Sequence, residues 1–151
     1  MAALGGTISF NGTSLSAGVA KTVFVASAPA NQRIKITGWN LSFNGTVNSN
    51  TPVLVYFQDG SAAGTSTAFV PVPKEPECTE TFQGTYGINA TVEPTLTSNK
   101  YRRQFYVHPQ LGQEVYFPQG QEVMIKGGGI MAIVCNAPQA VSCSGWVDIE
   151  E

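Results

Sequence analysis

His108 is the only histidine in the 151-residue chain, so any acid–base chemistry would have to begin there. A histidine works as a general base only with a nucleophile and an orienting acid within hydrogen-bond reach. The spacing around Tyr106-Val107-His108-Pro109 supplies neither, and His108 reads as a surface or structural residue. A glycosidase needs two carboxylates across a cleft. Glutamates are present, but nothing in their spacing pairs them. Asp59 and Asp148 are the only aspartates, and neither lies in a calcium-loop pattern. The chain has no G-x-S-x-G elbow, H-E-x-x-H helix, phosphate loop or dinucleotide fingerprint. Gly127-Gly128-Gly129 follows a strand pattern but leads into another strand, so no helix N-terminus would stand ready for a phosphate. Cys78, Cys135 and Cys143 are odd in number and lack C-x-x-C spacing, which points to free thiols rather than a disulfide framework or a zinc site. The expectation is a protein that is not an enzyme and holds no cofactor or metal.

Contact chemistry is left. Trp39 shares strand parity with Leu41 and Phe43 and is expected in the core. Trp146 alternates outward with Ser142, Ser144 and Asp148, and an exposed tryptophan is a candidate contact. With Tyr101 or Tyr106 it would form an aromatic row on which sugars stack. Lys100, Arg102 and Arg103 form the only basic cluster. Three cations are too few to track a phosphate backbone, and a net charge of -2 gives no field to attract one, so nucleic acid is not an expected partner. Charged residues are 12% of the chain, about half the usual ~25%. A surface of hydroxyls and amides loses little on desolvation against another protein. The longest apolar run is a handful of residues, so no membrane span is expected.

The elements that would position these residues are strands. Arg33–Phe43 begins with Ile34 and Ile36 inward, then switches parity to Trp39, Leu41 and Phe43. Gly38 sits at the switch, where a β-bulge would absorb one residue. Asn44-Gly45 is turn chemistry for a tight reversal into Pro52–Phe57, which is apolar on both faces. Such a strand lies between two layers, or has its outer face covered by another chain. Thr7–Phe10 reads as a short strand ended by an Asn11-Gly12 turn, Lys21–Ala26 as a second strand, and Asp59–Thr67 as a polar loop. Phe69–Pro73, with alternate prolines, reads as an edge strand or a surface segment. Lys74–Thr81 is an exposed excursion, and Thr85–Val92 a strand interrupted by Gly87. Thr95–His108 is the best place for a helix, yet its second half reads as a strand with Tyr101, Arg103, Phe105 and Val107 on one face. Glu114–Phe117 and Glu122–Ile125 are further strands. Ile130–Cys135 and Val141–Glu150 read as a hairpin about Pro138, which makes Cys135 and Cys143 diagonal neighbours beyond disulfide reach.

The sum is an all-β, jelly-roll-like β-sandwich of about nine to eleven strands with little or no helix. Residues 7–151 form one domain, and residues 1–6 a flexible N-terminal arm. Met1–Gly6 lacks the charged and apolar regions of a secretion signal, so the three N-x-S/T triplets at Asn11, Asn44 and Asn89 are read as turns.

Three groups of segments resemble a known family. They are Ile8–Gly18 with Gln32–Trp39, then Glu93–Thr95 and Val107–Pro109 with Gly127–Gly129, and last Gly145–Glu151. The pattern resembles the small all-β cement or decoration proteins of tailed-bacteriophage heads. That resemblance implies a homotrimeric jelly roll on the outer surface of the virion, made in the host cytoplasm. It would bridge neighbouring subunits of the major capsid protein and stiffen the shell. Candidate subunit or capsid contacts are Ala2, Ala3 and Leu4 of the arm, Arg102 and Arg103 of the basic cluster, and Trp146. The competing expectation is a carbohydrate- or receptor-binding β-sandwich module.

Overall fold

The computed structural model describes residues 3–46 and 51–151. Among the described residues, twelve strands form two antiparallel six-stranded sheets. They are β1 (Gly5–Leu15), β2 (Ala20–Ser27), β3 (Ile34–Phe43), β4 (Val53–Ala62), β5 (Thr65–Phe69) and β6 (Val72–Pro73). The rest are β7 (Thr85–Val92), β8 (Thr95–Val107), β9 (Gly112–Tyr116), β10 (Val123–Ile125), β11 (Ile130–Asn136) and β12 (Val141–Glu150). The first sheet runs β10-β3-β12-β1-β6, with β9 also on β3; the second runs β5-β7-β2-β11-β4-β8. The pairing is nested: β1 lies on β12, β2 on β11, β3 on β9 and β10, and β4 on β8. That is a long antiparallel ribbon folded over on itself, the jelly-roll arrangement. Strands β5 to β7 are inserted between its fourth and fifth principal strands and extend both sheets.

Inward side chains of the two sheets form one core that includes Ile8, Phe24, Ile36, Trp39, Leu41, Phe57, Ile133 and Val147. Trp39 is its aromatic centre, stacked on Phe105 (centroids 4.8 Å apart) and edge-on to Phe57 (5.4 Å). The parity switch in β3 has the expected cause. Asp148 pairs with Gly38 and Ile149 with Ile36, so Thr37 is the extra residue of a bulge. Gly38 is required for space as well, since a Cβ there would lie 2.7 Å from the Tyr116 ring.

Several expectations are corrected. The last two strands are not a hairpin: β11 is in the second sheet and β12 in the first. Ile130–Cys135 is apolar on both faces and Val141–Glu150 alternates, so each carries an inward apolar row that either pairing would satisfy, and the nested order gives each strand a partner on both sides. Cys135 and Cys143 therefore meet across the core from opposite sheets; both are buried, and all three cysteines are free. The Asn44-Gly45 link is likewise a crossover between sheets. Gly45 donates its N–H to the Pro109 carbonyl at 2.9 Å, and a Cβ would collide with Pro109, so closeness rather than positive φ demands glycine. Val47–Asn50 of the same turn lie outside the described residues. Asn11-Gly12 does not end a strand. It is a bulge within β1, with Gly12 at φ +70° donating to the Ser144 hydroxyl.

The loop expected from Asp59 to Thr67 is mostly strand, because β4 is flanked on both sides and its backbone stays paired to Ala62. Gly87 does not interrupt β7; it makes room for the Ser66 side chain of β5. Residues 95–107 are strand throughout. Residues 4–6 of the expected arm are held in the protein's own first sheet. Leu4 and Glu151 exchange two backbone hydrogen bonds of 3.0 Å, and Gly5 and Gly6 pair with Glu150 and Ile149. Gly6 leaves space for the Phe82 ring, which a Cβ would meet at 2.4 Å.

Ile130–Cys135, apolar on both faces, is covered from within. On the outer face of the second sheet Val25, Ala132 and Val134 are buried beneath Tyr56, Ala63, Leu96 and Ile130. On strand 52–57 the outward residues Leu54 and Tyr56 are half-buried, with Tyr56 meeting the Tyr101 ring edge-on.

The end of the first sheet is tied to the second by Glu151. Its carboxylate accepts from the Gln83 and Gly84 amides at 2.7 Å and from the Tyr86 hydroxyl at 2.5 Å. Burial first, then this hydrogen bond and charge, push the Tyr86 pKa far above the phenol range. The neighbouring Cys143 thiol and full burial likewise push Cys135 well above the usual thiol range. Unfolded, these groups ionise near about 8.5 for cysteine and about 10 for tyrosine. Above those values the unfolded chain has lost protons that the folded chain keeps, so stability falls as pH rises. We expect the urea midpoint to decline from about pH 8.5 upward. Cys135→Ala should delay that onset towards pH ~10, where tyrosine ionises. A midpoint flat through this window would contradict the assignment.

Candidate functional site

The outer face of the first sheet carries one large aromatic group. Trp146 projects from β12, flanked by Ser9 on β1 and Asn40 on β3. Tyr116 from β9 reaches it over Gly38, with ring centroids 5.4 Å apart and planes tilted by 38°. The β3 bulge thus both redirects Trp39 inward and clears the place where Tyr116 lies. Two residues along β12, Asp148 receives the Thr7 hydroxyl proton on one oxygen (2.6 Å) and the Lys74 ammonium on the other (3.0 Å). Towards the opposite end, the Ser144 hydroxyl donates to Asn11 Oδ1 at 2.7 Å. Thr7, Ser9, Tyr116, Trp146 and Asp148 line a shallow hollow of about 280 Å³.

The second surface is β8, the last strand of the second sheet. It is thirteen residues long and exposed over most of its length. Arg102 makes a two-pronged ion pair with Asp59, at 3.1 and 2.8 Å, which raises the guanidinium pKa further. Arg103 donates to the Arg102 carbonyl and lies over the Phe117 ring, 5.5 Å from its centroid. Register shifts against β4 disturb residues 95–102, whereas Arg103–Val107 pair regularly with Val53–Phe57.

The structure separates what the expected aromatic row would join. Trp146 belongs to the first sheet; Tyr101 and Tyr106 belong to the second. One extra residue in β8 between Tyr101 and Arg103 also takes Tyr101 off the face of Phe105 and Val107, to pack edge-on against Tyr56 at 5.5 Å. The partner that Trp146 has, Tyr116, was not anticipated. Its signal was present: within Glu114–Phe117 it alternates away from Val115 and Phe117, which pack on the core. Of the arm candidates, Leu4 is engaged by Glu151 and Ala3 is exposed, while Ala2 lies outside the described residues. His108 caps the turn after β8, where its Nδ1 accepts from the Gln110 amide at 3.3 Å. Among the described residues no three of His, Cys, Asp and Glu gather as a metal-holding group, and no helix is long and apolar enough to cross a membrane.

Together these features define a two-layer β-sandwich whose candidate sites are an open sheet face and an open sheet edge. Comparison of the chain with protein-family models, curated proteins and solved structures finds no match.

Proposed function

We propose that this chain is a capsid decoration protein of a tailed bacteriophage. It binds the outer surface of the assembled shell as a homotrimer and bridges subunits of the major capsid protein. The observation that carries this reading is the free edge of β8. A strand at a sheet edge presents unpaired N–H and C=O groups, a template for a strand of another chain. Lys100, Arg102 and the register shifts blunt the first part of β8 against indiscriminate pairing, as edge charges and bulges do. Arg103–Val107 remains a regular ladder, with Tyr106 69% exposed beside it. Five residues of strand reach about 17 Å, enough for a β-augmentation contact. The low surface charge and the sequence resemblance to head decoration proteins support the same reading. On this account the protein resides on the virion and takes part in no reaction.

The test is retention on shells. Expanded capsids lacking the protein, assembled from the major capsid protein of the same phage, should co-sediment with added wild-type chain. Arg103→Glu with Tyr106→Asp alters the edge without touching the buried core. It should weaken retention at least tenfold, about 1.4 kcal/mol, while leaving circular dichroism unchanged. Equal retention of the folded variant, or none of the wild type, would contradict the proposal.

A further inference from the structure

We infer that the outer face of the first sheet is a saccharide-binding site centred on Trp146, taking the pyranose rings of a neutral oligosaccharide. This goes beyond shell binding, and it uses the sheet opposite the β8 edge. Trp146 is half-buried on a face where it adds nothing to the core, and its cross-strand neighbours are Ser9 and Asn40. Tyr116, 62% exposed, extends the platform to two rings. A pyranose ring alternates apolar C–H faces with a rim of hydroxyls. An aromatic platform encircled by hydroxyl, amide and carboxylate groups matches both features, because a ring can stack while its rim hydrogen-bonds.

The polar groups are placed for this. Asp148, 8% exposed, is held by Thr7 and Lys74 and fixes the polar floor at one end of the hollow. Ser9 and Asn40 each offer both donor and acceptor beside the indole. The hollow of about 280 Å³ is shallow and open, so a sugar ring would lie against the sheet face and keep its outer side in water. Charge selects the class. Lys74 is already matched to Asp148 and Lys35 lies 3.9 Å from Glu150, while Glu114 stands across from Asn40, so an acidic sugar would meet repulsion.

The probes are cellotetraose and chitotetraose, titrated into the full chain while the two indole N–H resonances are followed by NMR. At least one sugar should shift Trp146 saturably and leave the buried Trp39 unmoved. Trp146→Ala should weaken binding at least tenfold by calorimetry. Ser9→Glu, which adds bulk and charge beside the indole on the solvent side, should do the same with an unchanged fold. No saturable shift with either sugar at roughly 10 mM, where a millimolar site would be filled, would overturn the inference. So would undiminished binding by both folded variants. Shell retention is measured separately, so loss of sugar binding leaves the decoration reading intact, and the reverse holds.

Discussion

Trp39→Ala is expected to destabilise the fold by about 3–5 kcal/mol, the usual cost of removing a large buried aromatic. Trp39 is 3% exposed and bridges the sheets, stacking on Phe105 and meeting Phe57 edge-on. Alanine would leave a cavity that two β-sheets, stiffened by their ladders, cannot collapse to fill. Trp39→Phe should cost much less, under about 2 kcal/mol, since it keeps one ring of the stack. The indole N–H is buried and makes no hydrogen bond among the described residues, so its removal forfeits no polar contact. Chemical denaturation of the three proteins checks this. Equal costs for both substitutions would mean that the N–H, not the ring, holds the site.

Gly145→Ala should cost about 1–3 kcal/mol although it adds a single methyl group. A Cβ at Gly145 would lie 2.1 Å from the Asn40 carbonyl oxygen, and that atom is backbone in the adjacent strand β3. The neighbour cannot rotate aside, so the β3–β12 pairing must shift. The contrasting case is Gly12, at φ +70° with open space around it. Asparagine tolerates the left-handed region, so Gly12→Asn should be nearly neutral. Thermal melts of the two variants separate a steric requirement for glycine from a conformational one. Their disturbed pairing makes Gly145 variants useful for shell assays as well: loss of binding there would report register in the first sheet, not an edge contact.

The sequence disclosed side-chain parity well and strand pairing poorly, for a physical reason. Alternation shows which face is buried, and that suffices for Trp39 inward, Trp146 outward and the bulge at Gly38. It does not show which strand lies alongside. Ile130–Cys135, apolar on both faces, and Val141–Glu150, which alternates, are separated by a short turn and each offer an apolar row, so they mimic a hairpin. In the fold they pair with strands far away in sequence, and the turn crosses the core instead of closing a ladder. Local composition misled in the same way at Asp59–Thr67, whose polar, small residues are compatible with strand once β11 and β8 hold Asp59–Ala62 and β7 holds Thr65–Thr67. The site divides similarly. Trp146 is legible as outward-facing and Arg102 and Arg103 as a basic cluster, but only the topology shows that they occupy different sheets. The pairing of Trp146 with Tyr116 depends on β9 docking beside β3, which alternation alone does not encode.

The most direct measurement is a cryo-electron microscopy map of the virion, read together with the mass of the free protein. The account predicts a trimer in solution and, on the particle, density outside the shell with residues 103–107 against the major capsid protein. A monomer in solution with no corresponding density on the outer surface would contradict it.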